Sequence, residues 1–273
     1  MNKKKDKVDT GNFKRLQGIL KSLQSVVVAY SGGLDSTFLL KVAIDTLGTG
    51  SVLAVTARSE TYPRSELNDA RCVAQMIGAR HIIIRTTELT MKSFRSNPVN
   101  RCYYCKKELF KRLDAIRKKQ GLRYVIDGTN FNDLKDIRHG TKAAEELGVR
   151  RPLLEANITK EDIRSHSRTL KLPTWDKPSA ACLASRIPFG IPITLEKLDK
   201  VARAEEALHG IGFRQVRVRL HGDIARIELT GRDITRAIKS KDLIVKTLNG
   251  LGFIYVTLDL AGYRTGSLHE SVK

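Results

Sequence analysis

Residues 26–30, 52–57, 81–85 and 124–127 are short, rich in β-branched side chains and nearly all apolar. A half-buried strand alternates apolar and polar residues; a run of Val, Ile and Ala without that alternation suits a parallel strand covered on both faces. Between these runs, residues 36–47, 65–77 and 105–119 place apolar side chains at helical spacing. Strand and helix therefore alternate, which predicts an α/β fold built on a doubly wound parallel sheet, with ligands at the carboxyl ends of its strands.

Further along, Thr159 with Asp162 three residues later reads as a capping box opening a helix over 160–170. Pro173 and Pro178 end helical structure and introduce a long loop, 174–192, that carries Cys182. A loop of that length in a compact enzyme is more often functional than idle. After Pro192 the texture changes to a helix over 195–209, strands at 215–220 and 224–229 around a turn at 221–223, a helix over 233–248 and a strand at 254–260. Gly210-Ile211-Gly212-Phe213 and Gly250-Leu251-Gly252-Phe253 echo one another. The pattern divides the chain into residues 1–191, the nucleotide-sized domain, and 192–273, a small α+β domain of two similar halves.

Composition narrows the class. With 273 residues, 41% hydrophobic and 29% charged, the chain can bury a core, which excludes a disordered or fibrous protein. Its first residues are charged with no apolar run behind them, and nowhere is there an apolar run of about 18 residues. The expectation is a cytoplasmic protein without a membrane partner, in which cysteines serve as metal ligands or reagents rather than disulfides. A net charge of +20, from 49 basic against 29 acidic residues, favours phosphate-bearing ligands, but it is spread along the chain and selects no nucleic acid.

The sharpest chemical signal follows the first apolar run: Ser31-Gly32-Gly33-Leu34-Asp35-Ser36-Thr37. Two glycines allow a tight turn whose N–H groups face an anion, and Ser31, Ser36 and Thr37 add hydroxyls at a helix start. No Gly-Lys-Ser/Thr ending is present, so this is not a Walker loop. The motif resembles the PP-loop of the ATP pyrophosphatases, a superfamily with an adenine nucleotide alpha hydrolase-like fold. The resemblance implies binding of ATP with Mg²⁺, release of pyrophosphate and an adenylylated intermediate. Gly128, in Asp127-Gly128-Thr129-Asn130 after the fourth strand, falls at the nucleotide site on that resemblance. Asp133 and Arg138 just beyond are candidates for phosphate or Mg²⁺; an Asx-type turn is the competing reading. Thr56 and Ser59, at the end of the second strand, are candidates for the adenosine.

Cys102 and Cys105 form a C-x-x-C pair, which by itself fits zinc, redox or iron–sulfur roles. Together with Cys182 they make three thiols with no histidine nearby, a set better suited to a [4Fe–4S] cluster with one open iron than to tetrahedral zinc. Cys72 reads as a small buried apolar residue. The loop Pro-Ser-Ala-Ala-Cys-Leu-Ala-Ser-Arg-Ile-Pro-Phe-Gly at 178–190, the phosphate loop and the segment Arg-Val-Arg-Leu-His-Gly-Asp-Ile-Ala-Arg-Ile-Glu at 217–228 together resemble the LarE family over essentially the whole chain.

That resemblance implies a sulfurtransferase of nickel-pincer nucleotide biosynthesis. It would adenylylate a carboxylate of pyridinium-3,5-biscarboxylic acid mononucleotide, a nicotinate-derived nucleotide, and convert it to a thiocarboxylate. Sulfur would come either from Cys182 itself, left as dehydroalanine, or from a [4Fe–4S] cluster on Cys102, Cys105 and Cys182; the three cysteines favour the cluster. Cys182, Asp35 and Arg186 form the expected catalytic set, Arg186 steadying developing charge. Arg217 and Arg219, two apart on one strand, with Arg214 before them, can fork a substrate phosphate; a solvated edge face is the competing reading. Glu206 and Glu228 are read as partners of those arginines or weak metal ligands. The family resemblance further implies a homo-oligomer, a hexamer, and other nickel-pincer biosynthesis proteins as partners. A tRNA-thiolating PP-loop enzyme remains the alternative, although no RNA-binding module and no second C-x-x-C is present; a nucleotide-sensing module would keep the loop without chemistry.

Overall fold

The computed structural model describes residues 10–135, 139–178, 181–264 and 266–272. In chain order its elements are α1 (Thr10–Leu23), β1 (Val26–Ala29), α2 (Leu34–Leu47), β2 (Val52–Arg58), α3 (Arg64–Met76), β3 (Arg80–Arg85), α4 (Lys92–Arg95), α5 (Arg101–Lys119) and β4 (Tyr124–Ile126). There follow α6 (His139–Glu146), α7 (Pro152–Glu155), α8 (Lys160–Thr169), α9 (Leu195–Gly210), β5 (Val216–His221), β6 (Ile224–Leu229), α10 (Gly231–Lys239), α11 (Lys241–Asn249) and β7 (Tyr255–Leu258). They fall into two units: one of residues 1–59, 64–86 and 102–180, the other of 60–63, 87–101 and 181–273. The second unit thus recruits two earlier segments and starts its long run at Ala181, where the texture of the sequence placed a single boundary at 191–192.

In the first unit four strands run parallel in the order β3-β2-β1-β4. The chain moves outward from β1 through β2 to β3, then crosses to β4 on the other side of β1. That reversal makes the carboxyl ends of β1 and β4 a topological switch point, where such sheets bind ligands. Val26 and Val28 of β1 point into one core with Leu39, Leu40 and Leu20, while Val27 points into another with Phe110 and Leu113. Burial on both faces is why these strands read as unbroken apolar runs. The edge strand β3 is different: Ile82 is exposed, because an edge strand has fewer neighbours to cover it. The expected capping box is present, with Thr159 accepting from the Asp162 N–H and Asp162 accepting from that of Thr159. Cys72, expected in the core, is exposed on α3, whose buried stripe runs instead through Ala70, Val73 and Ala74.

In the second unit β5 and β6 pair antiparallel, and β7 adds parallel to β6. The expected helix over 233–248 is two helices, α10 and α11, that part at Ser240. The repeated Gly-Phe has a structural counterpart. Gly212 and Gly252 each take positive φ (103° and 85°), and Phe213 and Phe253 each return an N–H to the carbonyl of a leucine five residues back (Leu208, 3.1 Å; Leu248, 3.3 Å) before entering the core. Each half therefore ends its helix with a glycine in a conformation a side chain disfavours. Among the described residues no helix is long and apolar enough to cross a membrane.

Candidate active site

The phosphate loop is held by its own short side chains. The Ser36 hydroxyl accepts from the Ser31 N–H (3.2 Å) and lies 3.0 Å from the Ser31 hydroxyl, which in turn accepts from the Gly33 N–H (3.3 Å). Gly32 sits at φ +72°, and a Cβ built there would fall 2.6 Å from the Ala70 Cβ and 2.8 Å from its Cα. Glycine is thus required twice, for the dihedral and for the close approach to α3. The Tyr30 hydroxyl donates to the Ala70 carbonyl of that same turn (3.2 Å), and burial pushes its pKa up to about 12. From the other side of the switch point, Gly128 lies so near that a Cβ would come within 3.1 Å of the Ser36 N. The loops after β1 and β4 therefore meet at one helix N-terminus, where unpaired N–H groups favour an anion.

Asp35, in the first turn of α2, receives Lys160 from the first turn of α8 at 2.5 Å on Oδ2. Its Oδ1 is buried without a hydrogen-bond partner among the described residues. Burial raises its pKa, and Lys160 offsets part of that rise. Lys160 is set in place twice over, by the Thr159 cap and by donation of its own N–H to Asn132 (2.8 Å). A buried carboxylate oxygen with no hydrogen-bond partner among the described residues, beside a phosphate cradle, fits the oxygen ligation of Mg²⁺. Nothing in the local sequence singles out Lys160, because it reaches the loop from 125 residues away.

The remaining expected nucleotide residues divide. Asp133 accepts from the Asn130 N–H (3.1 Å) and raises the pKa of Asp35 through their like charge, so it stands close to the loop. Asp127 caps its own turn through Thr129 (3.0 Å) and faces Lys106 at 3.5 Å. Thr37 is buried in α2. Thr56 is buried too, its hydroxyl donating to the Tyr30 carbonyl (2.7 Å) and lying 2.8 Å from His81 Nε2, so it ties β2 to β1 and β3 rather than presenting a hydroxyl at the strand end. Ser59, just past β2, is half-buried. Arg138 lies outside the described residues. Cys102, exposed, and Cys105, half-buried, occupy the first turn of α5.

In the second unit Cys182 opens a short turn through Arg186, and that turn is gripped by buried charge. Arg186 forms a two-pronged pair with Glu205 of α9 (2.8 and 3.0 Å), while its remaining nitrogen donates to the carbonyls of Ala181 (2.9 Å) and Cys182 (3.4 Å) and to the Ser185 hydroxyl (2.9 Å). Glu205 also accepts from the Val218 N–H of β5 (2.9 Å). Arg219, 1% exposed, pairs with the fully buried Glu228 (2.9 and 3.1 Å) and donates to the Ser185 carbonyl. Arg186 therefore holds the backbone of the cysteine turn. Glu206 is exposed; the pairing belongs to Glu205, which shares the buried stripe of α9 with Leu198, Val201 and Leu208. Arg217 lies opposite Glu228 across the strands and donates to the Tyr263 hydroxyl (2.6 Å), whereas Arg214 is exposed at the entrance to β5.

Comparison with known proteins agrees with the architecture. The NAD synthase family profile matches residues 16–112, the span from within α1 into α5. The pyridinium-3,5-bisthiocarboxylic acid mononucleotide synthase of Lactiplantibacillus plantarum is 40% identical over 94% of this chain and 93% of its own length. An uncharacterized Synechocystis protein is 45% identical over 94% of this chain and 97% of its own. The NH(3)-dependent NAD(+) synthetase of Chlorobaculum tepidum shares 32% over 58% of each chain. A parallel sheet with a glycine-built cradle at its switch point, and likeness to a LarE synthase from end to end of the matched span, place the chain in the LarE family of PP-loop enzymes.

Proposed function

We propose that this protein is an ATP-dependent sulfurtransferase that adenylylates a carboxylate of pyridinium-3,5-biscarboxylic acid mononucleotide and converts it to a thiocarboxylate in nickel-pincer nucleotide synthesis. The observation that carries the reading is the cradle of Gly32, Ser36, Asp35 and Lys160 at the switch point, in a chain whose L. plantarum relative makes the bisthiocarboxylic nucleotide. Here the carboxylate oxygen attacks the α-phosphorus of ATP, the bond to the β-phosphate breaks, and pyrophosphate leaves. Its negative charge is met by the α2 N-terminus and Lys160. Mg²⁺, when bound, neutralises phosphate charge, with Asp35 and Asp133 as its ligands.

The acyl-adenylate turns a repelling anion into an acyl group with AMP as leaving group. The Cys182 thiolate attacks the acyl carbon, AMP departs, and a thioester forms. Removal of the Cys182 Cα proton with cleavage of its Cβ–Sγ bond leaves the sulfur on the product and dehydroalanine in the chain. Arg217, with Arg214, takes the substrate phosphate, and Arg219, held by Glu228, stands behind them. The first unit thus acts as the PP-loop domain and the second as the substrate-binding and assembly domain. A hexameric assembly, cytoplasmic location and other nickel-pincer biosynthesis proteins as partners belong to the same proposal.

A second sulfur source is a [4Fe–4S] cluster on Cys102, Cys105 and Cys182, favoured by the C-x-x-C in one helical turn. Among the described residues no three Cys, His, Asp or Glu side chains gather where a metal ion could sit. Anaerobic turnover with ATP and the biscarboxylic nucleotide tests the reading. Pyrophosphate and thiocarboxylate should appear together, and Cys182→Ala should still release pyrophosphate but form no thiocarboxylate. A Cys182 peptide lighter by one H₂S indicates sacrifice, whereas intact protein with iron and sulfide after several turnovers indicates the cluster. Pyrophosphate release indifferent to the nucleotide, or steeply salt-dependent tRNA binding in its place, refutes the proposal.

A further inference from the structure

The segment that follows β7 returns across β6 and lays two hydroxyls on the buried arginines. Asp259 starts the return: its N–H donates to the Ile227 carbonyl (2.9 Å), and its side chain accepts from the Ala261 N–H (2.9 Å). Gly262, at φ +68°, passes so close to β6 that a Cβ would fall 2.8 Å from the Leu229 carbonyl oxygen. The Tyr263 N–H then donates to that same carbonyl (2.8 Å), which fixes the tyrosine beside β5 and β6. Its ring lies under the Arg217 guanidinium at 4.3 Å and its hydroxyl accepts from Arg217 (2.6 Å). Four residues on, the buried Ser267 hydroxyl accepts from Arg219 (2.7 Å) and donates to Glu228 (3.3 Å).

The two arginines are not equivalent. Arg219 has a carboxylate on both prongs, so its charge is balanced where it stands. Arg217 has a neutral phenol as its hydrogen-bond partner, and the Glu228 carboxylate opposite it is already bonded to Arg219 and Arg226. Because Tyr263 is the acceptor in that bond, its hydroxyl retains its own hydrogen to donate. A donor polarised by an adjacent guanidinium suits an oxyanion, since charge-assisted bonds are about twice as strong as neutral ones.

We propose that Tyr263 is a binding residue of the anion site, donating to a phosphomonoester alongside Arg217, with Ser267 positioning the Arg219–Glu228 pair behind it. This rests on the reading of Arg217 as the phosphate-binding arginine. Tyr263 supplies a flat, rigid ring that holds the guanidinium in one plane, which is the geometry a phosphate with two exposed oxygens needs.

The test is calorimetric titration of the full chain with nicotinic acid mononucleotide, whose single phosphate serves as the probe, comparing wild type with Tyr263→Phe, Tyr263→Leu, Ser267→Ala and Arg217→Lys. Tyr263→Phe keeps the ring and loses one hydrogen bond, so affinity should fall about tenfold. Tyr263→Leu, which also removes the stacking, should fall further, while the affinity for ATP stays the same in both. Ser267→Ala should weaken the probe by a smaller factor. If Tyr263→Phe and Ser267→Ala bind like wild type while Arg217→Lys loses the probe, Tyr263 has no part in the site and the phosphate reading of Arg217 survives. If Arg217→Lys also binds like wild type, both readings fall.

Discussion

Replacing Gly32 with alanine probes the phosphate loop at its tightest point. A left-handed backbone costs a residue with a Cβ roughly 1–2 kcal/mol. The added methyl would meet the Cβ, Cα and N of Ala70 at 2.6, 2.8 and 3.2 Å, and because two of those three atoms are α3 backbone, a rotamer change cannot relieve the overlap. Overpacking of this kind costs about 1–3 kcal/mol, and the two effects together reach about 2–5 kcal/mol. At roughly 2–4 °C per kcal/mol for a domain of this size, the first unit should melt about 5–15 °C lower. The loop must also move away from α3 to accommodate the methyl, which turns its N–H groups off the phosphate position. Differential scanning calorimetry, with and without ATP, separates the two consequences. The neighbouring Gly33→Ala is the control, since its φ is −79° and the nearest atom to its Cβ is the small Ser31 hydroxyl at 3.3 Å. It should lose a degree or two. A Gly32→Ala protein that melts with wild type and gains the same stabilisation from ATP would refute the account of this loop.

Two further substitutions follow from the buried charges. The pKa of Asp35 is raised in the fold, chiefly by burial. The folded state therefore favours the protonated acid, a preference that contributes stability below the unfolded pKa and is lost as pH rises through the raised folded value. Asp35→Asn should then be neutral or stabilising at pH 7, less so as the pH falls toward 4, yet abolish Mg²⁺-dependent binding of ATP; urea denaturation across that range measures the first and calorimetry the second. Glu228→Gln leaves the Arg219 guanidinium buried without its counter-charge and should cost about 3–5 kcal/mol, whereas Glu206→Ala, on an exposed surface, should stay within about 0.5 kcal/mol; paired urea melts decide.

What the amino-acid pattern reveals here depends on the range of the interactions. The strands of the parallel sheet, the phosphate loop and the Thr159 cap are written in contiguous residues, by runs of Val and Ile, paired glycines and a Thr-to-Asp spacing. The helix α1 is less legible because its apolar stripe of Leu16, Leu20 and Leu23 is interleaved with lysines, arginine and glycine. Ser240 is a subtler break, since nothing but a serine between two lysines marks the end of α10. Lys160, Asn97 and Tyr263 act at long range, Asn97 donating to the carbonyls of Ile187, Pro188 and Ile191 to fasten the loop beyond the cysteine. Helix phase alone distinguishes Glu205 from Glu206: position 205 lies seven residues after Leu198 and four after Val201, on the buried face, and a glutamate there demands a cationic partner. The arginines of β5 read as an exposed or ligand-binding face because strands usually bury one side; here Val216 to Leu220 are all buried, and the polar side is filled by Glu228 and the cysteine turn.

Arg186 grips the peptide carbonyl of Cys182. A side chain can therefore part with its sulfur while the main chain around it remains anchored to α9 through Glu205. If the chain is consumed after one round of chemistry, the spent molecule should keep its shape, and a cell would have to tell it from a fresh one by its missing atom alone.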